Sequence, residues 1–179
     1  MAAMSDDVVA VRSLSKVVAP GLRIGCVIAP SDLMQSLEQL RGGTDICASP
    51  LNQLAVARFL ADGGVGPQIR RLSERFAKRR DAMLDGLSRH FSDLGAEWSR
   101  PDGGMFLWMR LREGVDTAEL LEPAIDEGVA FVPGSVFSID GDHRSSMRLC
   151  FASAEPERIE EGIRRLRATH DRIVGAGQR

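Results

Sequence analysis

The feature that most constrains this chain is a long apolar repeat at helical spacing. Ile69, Leu72, Phe76, Met83, Leu87 and Phe91 recur at intervals of three, four or seven residues, which predicts one helix over roughly residues 67–90. At about 1.5 Å per residue such a helix exceeds about 30 Å, long enough to link two domains. In a chain of 179 residues it acts as a divider, so three stretches are expected: 1–65, 66–92 and 93–179.

The first stretch holds two short runs rich in β-branched residues, Val8 to Arg12 (VVAVR) and Ile24 to Ala29 (IGCVIA). Both read as buried strands. Between them SLSKVVAPGLR is broken by Pro20-Gly21 and reads as a loop. A helix is predicted from Ser31, its N-cap, with Leu33, Leu37 and Leu40 on one face and Gly42-Gly43 as its stop. A second should run from Pro50 to Ala61, stopped by Gly63-Gly64. The third stretch alternates strand and helix. Strands are predicted over Gly104 to Leu111 (GMFLWMRL), Val129 to Val132 and Ser146 to Ala152, with a helix over Thr117 to Glu127. The last helix opens on Pro156 and buries Ile159, Ile163 and Leu166. Glu160–Arg164 and Glu161–Arg165 are its expected i,i+4 pairs, with Arg164, Arg165 and Arg167 toward its C-terminal end. The fold class is α/β.

Charge and composition narrow the function. A net charge of −2 leaves no electrostatic footprint for nucleic acid or an anionic membrane. The basic residues of the long helix, Arg70, Arg71, Arg75, Lys78, Arg79 and Arg80, are mixed with Glu74 and Asp81 and read as a solvated or interdomain face. No apolar run approaches the roughly 20 residues of a membrane span, and Met1 to Asp7 has no signal-peptide core. Cys26, Cys47 and Cys150 are odd in number and far apart, which points to neither a metal centre nor a disulfide framework. They are expected as buried or half-buried thiols in a reducing, cytoplasmic setting.

The chemistry concentrates in Ser13-Leu14-Ser15-Lys16 and Pro20-Gly21-Leu22-Arg23-Ile24-Gly25. An amine beside two hydroxyls and a guanidinium suits the phosphate ester of an aldehyde. The amine can condense with the aldehyde, while Ser13, Ser15 and Arg23 bind a phosphate dianion. Gly21 and Gly25 would let the backbone come close. By residue chemistry alone a surface loop remains open.

SLSKVVAPGLRIG resembles the cofactor-lysine segment of fold-type I pyridoxal-phosphate aminotransferases. PDGGMFLWMRL (Pro101 to Leu111), GVAFVPGSVF (Gly128 to Phe137) and SMRLCFASAEPERIEEGIRRL are similar to later segments of the same family, in the same order. The likeness is nearest to kynurenine and 2-aminoadipate aminotransferases and to the aminotransferase-like domains of MocR-type regulators. The resemblance implies the tail of the large cofactor domain (1–65), a linking helix (66–92) and a complete small C-terminal domain (93–179). It implies pyridoxal 5′-phosphate as cofactor, an amino acid and a 2-oxo acid as substrates, and a homodimer. Lys16 would carry the cofactor and act as acid and base, Ser13, Ser15 and Arg23 would hold its phosphate, and Arg148 would pair with the substrate carboxylate. On the residues alone, Arg148 could equally be half of a buried ion pair, and Ser13 and Ser15 could make loop hydrogen bonds. The groups that stack on the cofactor ring and bind its hydroxyl and nitrogen would lie in a preceding segment not among these residues. The chain is therefore expected to be a fragment without turnover of its own. Two other readings are the effector-binding half of a MocR-type transcriptional regulator and a non-catalytic oligomerising fragment.

Overall fold

The computed structural model describes residues 8–176, divided between two compact units, Met1–Leu72 and Ser73–Arg179. In the first, β1 (Ala10–Ser13) and β2 (Gly25–Ile28) form an antiparallel hairpin with Ala10 opposite Ile28 and Ser13 opposite Gly25. The strands were expected to be buried. Instead β2 is exposed throughout and Val11 stands out of β1, because two strands make a ribbon and no described residue covers its faces.

Helix α1 (Ser31–Thr44) follows. Pro30 occupies the cap position expected of Ser31, which is the first helical residue. Gly42-Gly43 does not end the helix. A mid-helix glycine costs only about 1 kcal/mol relative to alanine, and local bonds carry the turn onward: Thr44 Oγ1 donates to the Leu40 carbonyl at 2.8 Å and Arg41 Nε to Asp45 at 3.2 Å. Helix α2 (Pro50–Ala61) has the expected limits. Ser49 Oγ accepts from the Asn52 N–H, and Gly63 turns left-handed at φ 73°. The Gly63 and Gly64 N–H groups then close onto the Leu60 and Phe59 carbonyls, both at 3.1 Å.

Helix α3 (Val65–Phe91) brings its second half into the second unit. There β3 (Glu97–Trp98), β4 (Phe106–Arg110), β5 (Val132–Pro133) and β6 (Ser146–Cys150) form an antiparallel sheet in the order β3-β4-β6-β5. The two-residue β3 carried no pattern that marked it. Alternation puts Leu107, Met109, Met147 and Leu149 on one face. They pack against Met83, Leu87 and Phe91 of α3, Leu120 and Ala124 of α4 (Thr117–Asp126), and Ile159, Ile163 and Leu166 of α5 (Pro156–Ala176). At Gly86 a Cβ would meet Glu160 Oε2 at 2.9 Å and Ile163 Cβ at 3.4 Å, so glycine is what lets α3 and α5 approach. The strand expected over Val129 to Val132 starts three residues late. Gly128 (φ 77°) and Val129 are used to cap α4, their N–H groups bonding the Ile125 and Ala124 carbonyls.

Ion pairs tie the outer layer down, with partners only partly as expected. Glu161 does pair with Arg165, but Arg164 also reaches Glu161, while Glu160 reaches across to Arg89 at 2.6 Å and His90 at 3.1 Å. Because α5 continues to Ala176, Arg164, Arg165 and Arg167 sit mid-helix. Arg167 holds Asp93, Asp171 and the His90 carbonyl. Arg79, expected on a solvated face, is buried and binds Glu155 and the Ala152 carbonyl. All three cysteines are exposed, contrary to expectation. Cys26 lies on the uncovered hairpin, and Cys150 ends β6 on the face away from the core.

These pairs predict a pH response. Arg164 and then Arg165 pull the Glu161 carboxyl down to about 2, Arg79 lowers that of Glu155, and Arg167 lowers that of Asp93. A carboxyl depressed in the folded state contributes stability above its ordinary value and loses it as pH falls through the depressed one. The second unit is expected to hold a level thermal midpoint above about pH 5 and to lose stability as pH falls from about 4.5 toward 2. Both tryptophans, Trp98 and Trp108, lie in this unit, so their fluorescence during melts across pH checks it. A midpoint unchanged down to about pH 2.5 would contradict the reading.

Candidate functional site

Four of the five residues singled out by sequence share the hairpin connection of the first unit. The strands close it through the Ser13–Gly25 register pair and through the Leu14 N–H donating to the Ile24 carbonyl at 3.1 Å. The Val17 and Val18 N–H groups both turn back to the Leu14 carbonyl, at 3.2 and 2.8 Å. Ser15 and Lys16 are thereby held at the bend of this turn, with Lys16 exposed and in no ion pair with a described residue. Ser13 Oγ accepts the Ser15 N–H at 3.4 Å. That loop bond leaves the Ser13 hydroxyl free to donate.

A 3₁₀ turn at Pro20–Leu22 then delivers Arg23 in the left-handed region, φ 53° and ψ 41°. That conformation is uncommon for a residue with a side chain and persists where neighbours over-determine it. Here Asn52 Nδ2 of α2 donates to the Leu22 carbonyl at 3.1 Å, holding the peptide just before Arg23. Sequence reading missed Asn52, because the bond spans 30 residues and nothing local marks it. A Cβ at Gly21 would meet nothing within 4 Å, and at Gly25 it would meet the Arg12 carbonyl oxygen at 2.9 Å. The close approach at Gly25 therefore serves strand pairing.

Arg148 belongs to the second unit and is described by itself. It lies mid-strand in β6, between Trp108 of β4 and Val132 of β5, on the face opposite the core. No described carboxylate pairs with it. Its guanidinium carbon is 4.1 Å from the centroid of the Phe106 ring and 5.0 Å from that of Phe137. Its Nε is buried without a hydrogen-bond partner. Trp108 meets both Phe137 and His143 edge-on at 5.6 Å. Phe137 is carried by the 3₁₀ turn Gly134–Phe137. A Cβ on buried Gly134 would meet the Ser146 carbonyl oxygen at 2.7 Å, so only glycine lets this turn seat beside β6. Phe106 and Phe137 were legible as parts of motifs, but nothing in the sequence paired them with Arg148.

A concavity of about 730 Å³ lies elsewhere in the second unit among Asp93, Arg112, Asp116, Glu119 and His170, and none of the five candidate residues lines it. Among the described residues no group of three or more His, Cys, Asp or Glu side chains is arranged to hold a metal ion. Among the described residues no helix is long and apolar enough to cross a membrane.

Residues 1–166 match the family described as aminotransferase class I and II. Aromatic-amino-acid aminotransferase 1 of Thermococcus litoralis is 38% identical over 162 residues, which are 90% of this chain and 39% of that protein. A Bacillus subtilis protein named as an HTH-type transcriptional regulator, YdfD, is 28% identical over 89% of this chain and 32% of its own length. Among solved structures, the α-aminoadipate aminotransferase LysN of Thermus thermophilus, in complex with N-(5′-phosphopyridoxyl)-L-leucine, superposes with a TM-score of 0.86 at 34% identity. That likeness covers 94% of this chain and 43% of the other. The chain thus spans about two fifths of the length of the aminotransferases it matches.

Proposed function

The chain belongs to the class I and II aminotransferases, and from that premise we propose that it serves pyridoxal-phosphate-dependent amino transfer between an amino acid and a 2-oxo acid. The observation that carries the reading is the hairpin connection, which together with the last residue of β1 presents a primary amine, two hydroxyls and a guanidinium. This donor set fits pyridoxal 5′-phosphate: the amine of Lys16 matches an aldehyde, and Ser13, Ser15 and Arg23 match a phosphate dianion. When bound, the cofactor supplies a reactive aldehyde and a ring that accepts electrons from the substrate α-carbon. Lys16 Nζ would hold the cofactor through its aldehyde carbon and would take and return the proton at the substrate α-carbon. Asn52 positions Arg23 through the Leu22 carbonyl. Arg148 anchors the substrate carboxylate through its uncommitted N–H groups.

The reading extends to a homodimer in a reducing, cytoplasmic compartment. Large apolar side chains left exposed in the first unit, Ile46, Leu51 and Leu54, support association. Three exposed, unpaired thiols support the compartment.

The chain has only two lysines, Lys16 and Lys78, both exposed, so reaction of an aldehyde with the hairpin is readily told from reaction with surface amines. In the full-length gene product, addition of pyridoxal 5′-phosphate, borohydride reduction and peptide mapping should label Lys16 well ahead of Lys78. Equal labelling, or label on Lys78 alone, would overturn the reading. The likeness to YdfD favours a second reading, in which the same loop binds cofactor within a transcriptional regulator. Retention of the full-length gene product on promoter DNA, with no amino transfer, would select it.

A further inference from the structure

We propose that Phe106 and Phe137 are positioning residues that hold the Arg148 guanidinium in place of an ion pair and leave its N–H groups free for a carboxylate. The inference rests on the carboxylate-anchor reading of Arg148. Elsewhere in this chain arginines reach carboxylates, as Arg79, Arg89, Arg110 and Arg167 do. Arg148 reaches none among the described residues. What surrounds it are two ring centroids, 4.1 and 5.0 Å from its central carbon. Ring quadrupoles attract a cation without consuming its hydrogens, whereas a carboxylate partner would occupy the N–H fork a ligand needs. Burial of Nε without a partner is costly unless an acceptor completes it, and an anionic ligand supplies one.

Neither ring is placed as core residues are. Phe106 is 40% and Phe137 49% exposed, so neither position is accounted for by burial. Phe137 has its own support: Trp108 abuts it edge-on at an interplanar angle of 70°, and His143 abuts Trp108 at 86°. Gly134 seats its turn against the Ser146 carbonyl. Phe106 comes from the first position of β4, two residues before Trp108, the register partner of Arg148. Two separate segments thus converge on one guanidinium.

The test uses ¹⁵N-labelled full chain and the arginine Nε–Hε resonances, with the Arg148 signal assigned by its loss in Arg148→Gln. The probe is 4-methylvalerate, a carboxylate with no amine, which cannot react with an aldehyde cofactor. Wild-type protein should show a ring-shifted Arg148 Nε–Hε signal that moves on titration. Phe106→Leu and Phe137→Leu should lose the ring shift, exchange faster with water and bind the probe about five- to tenfold more weakly. Phe137→Tyr should restore both properties, and unchanged thermal midpoints would separate positioning from unfolding. Leucine variants with a wild-type Nε–Hε signal and wild-type affinity, while Arg148→Gln abolishes binding, would overturn the clamp and leave the anchor standing. A wild-type Arg148 signal that the probe does not move would overturn the anchor reading and the clamp's purpose with it.

Discussion

Replacing Lys16 by alanine in the full-length gene product is expected to lower the rate of amino transfer by about 10²- to 10⁴-fold, the typical contribution of a positioned acid–base group. The turn around Leu14 presents the amine to solvent and spends it on no ion pair with a described residue. An amine left this free is available to an aldehyde. Lys16→Arg should be as damaging, because guanidinium keeps the charge but does not deprotonate near neutral pH and so neither condenses nor accepts a proton. That variant also answers the objection that removing a charge merely unfolds the loop. Lys78→Arg, on the exposed side of α3, should leave the rate unchanged. Initial rates with an amino-acid and 2-oxo-acid pair, together with borohydride labelling, measure both effects. A Lys16→Arg protein within about threefold of the wild-type rate would remove Lys16 from the mechanism.

Phe91→Ala is expected to destabilise the second unit by about 3–5 kcal/mol, the usual cost of emptying a core phenylalanine site. Phe91 ends α3, is fully buried, and meets His170 of α5 edge-on with ring centroids 6.2 Å apart. Its ring belongs to the cluster shared by the sheet, α3, α4 and α5, so three helices line the space it would leave. Close-packed surroundings collapse little into such a hole. Ile173→Ala, at a position about one third exposed, is the surface control and should cost far less. Urea titration followed by the fluorescence of Trp98 and Trp108 reports on this unit, which contains both. A loss below about 1 kcal/mol for Phe91→Ala would show that the cluster relaxes around the missing ring.

What the sequence by itself determined was everything governed by short-range chemistry. The long helix, the Pro50 start and glycine stop of α2, the strands around Leu107 and Met147, and the Pro156 start of α5 all follow from side-chain period and terminal signals spanning a few residues. The grouping of Ser13, Ser15, Lys16 and Arg23 was legible for the same reason, since all four lie between Ser13 and Arg23 in sequence. Only the tertiary structure decided what those signals compete with. Gly42-Gly43 reads as a stop, yet α1 runs through it because hydrogen bonds in its last turn offset the glycine cost. Val129 reads as strand, yet its N–H is taken by the α4 cap. Glu160 has Arg164 one turn away, yet binds Arg89 and His90 because Gly86 lets α3 come close. Arg79 reads as surface and is buried by the Ala152 carbonyl and Glu155. Arg148 was visible as an arginine in an apolar strand, but its aromatic surroundings come from β4 and from the turn after β5. Contacts between residues tens of positions apart depend on the packing of whole elements, and no local pattern encodes them.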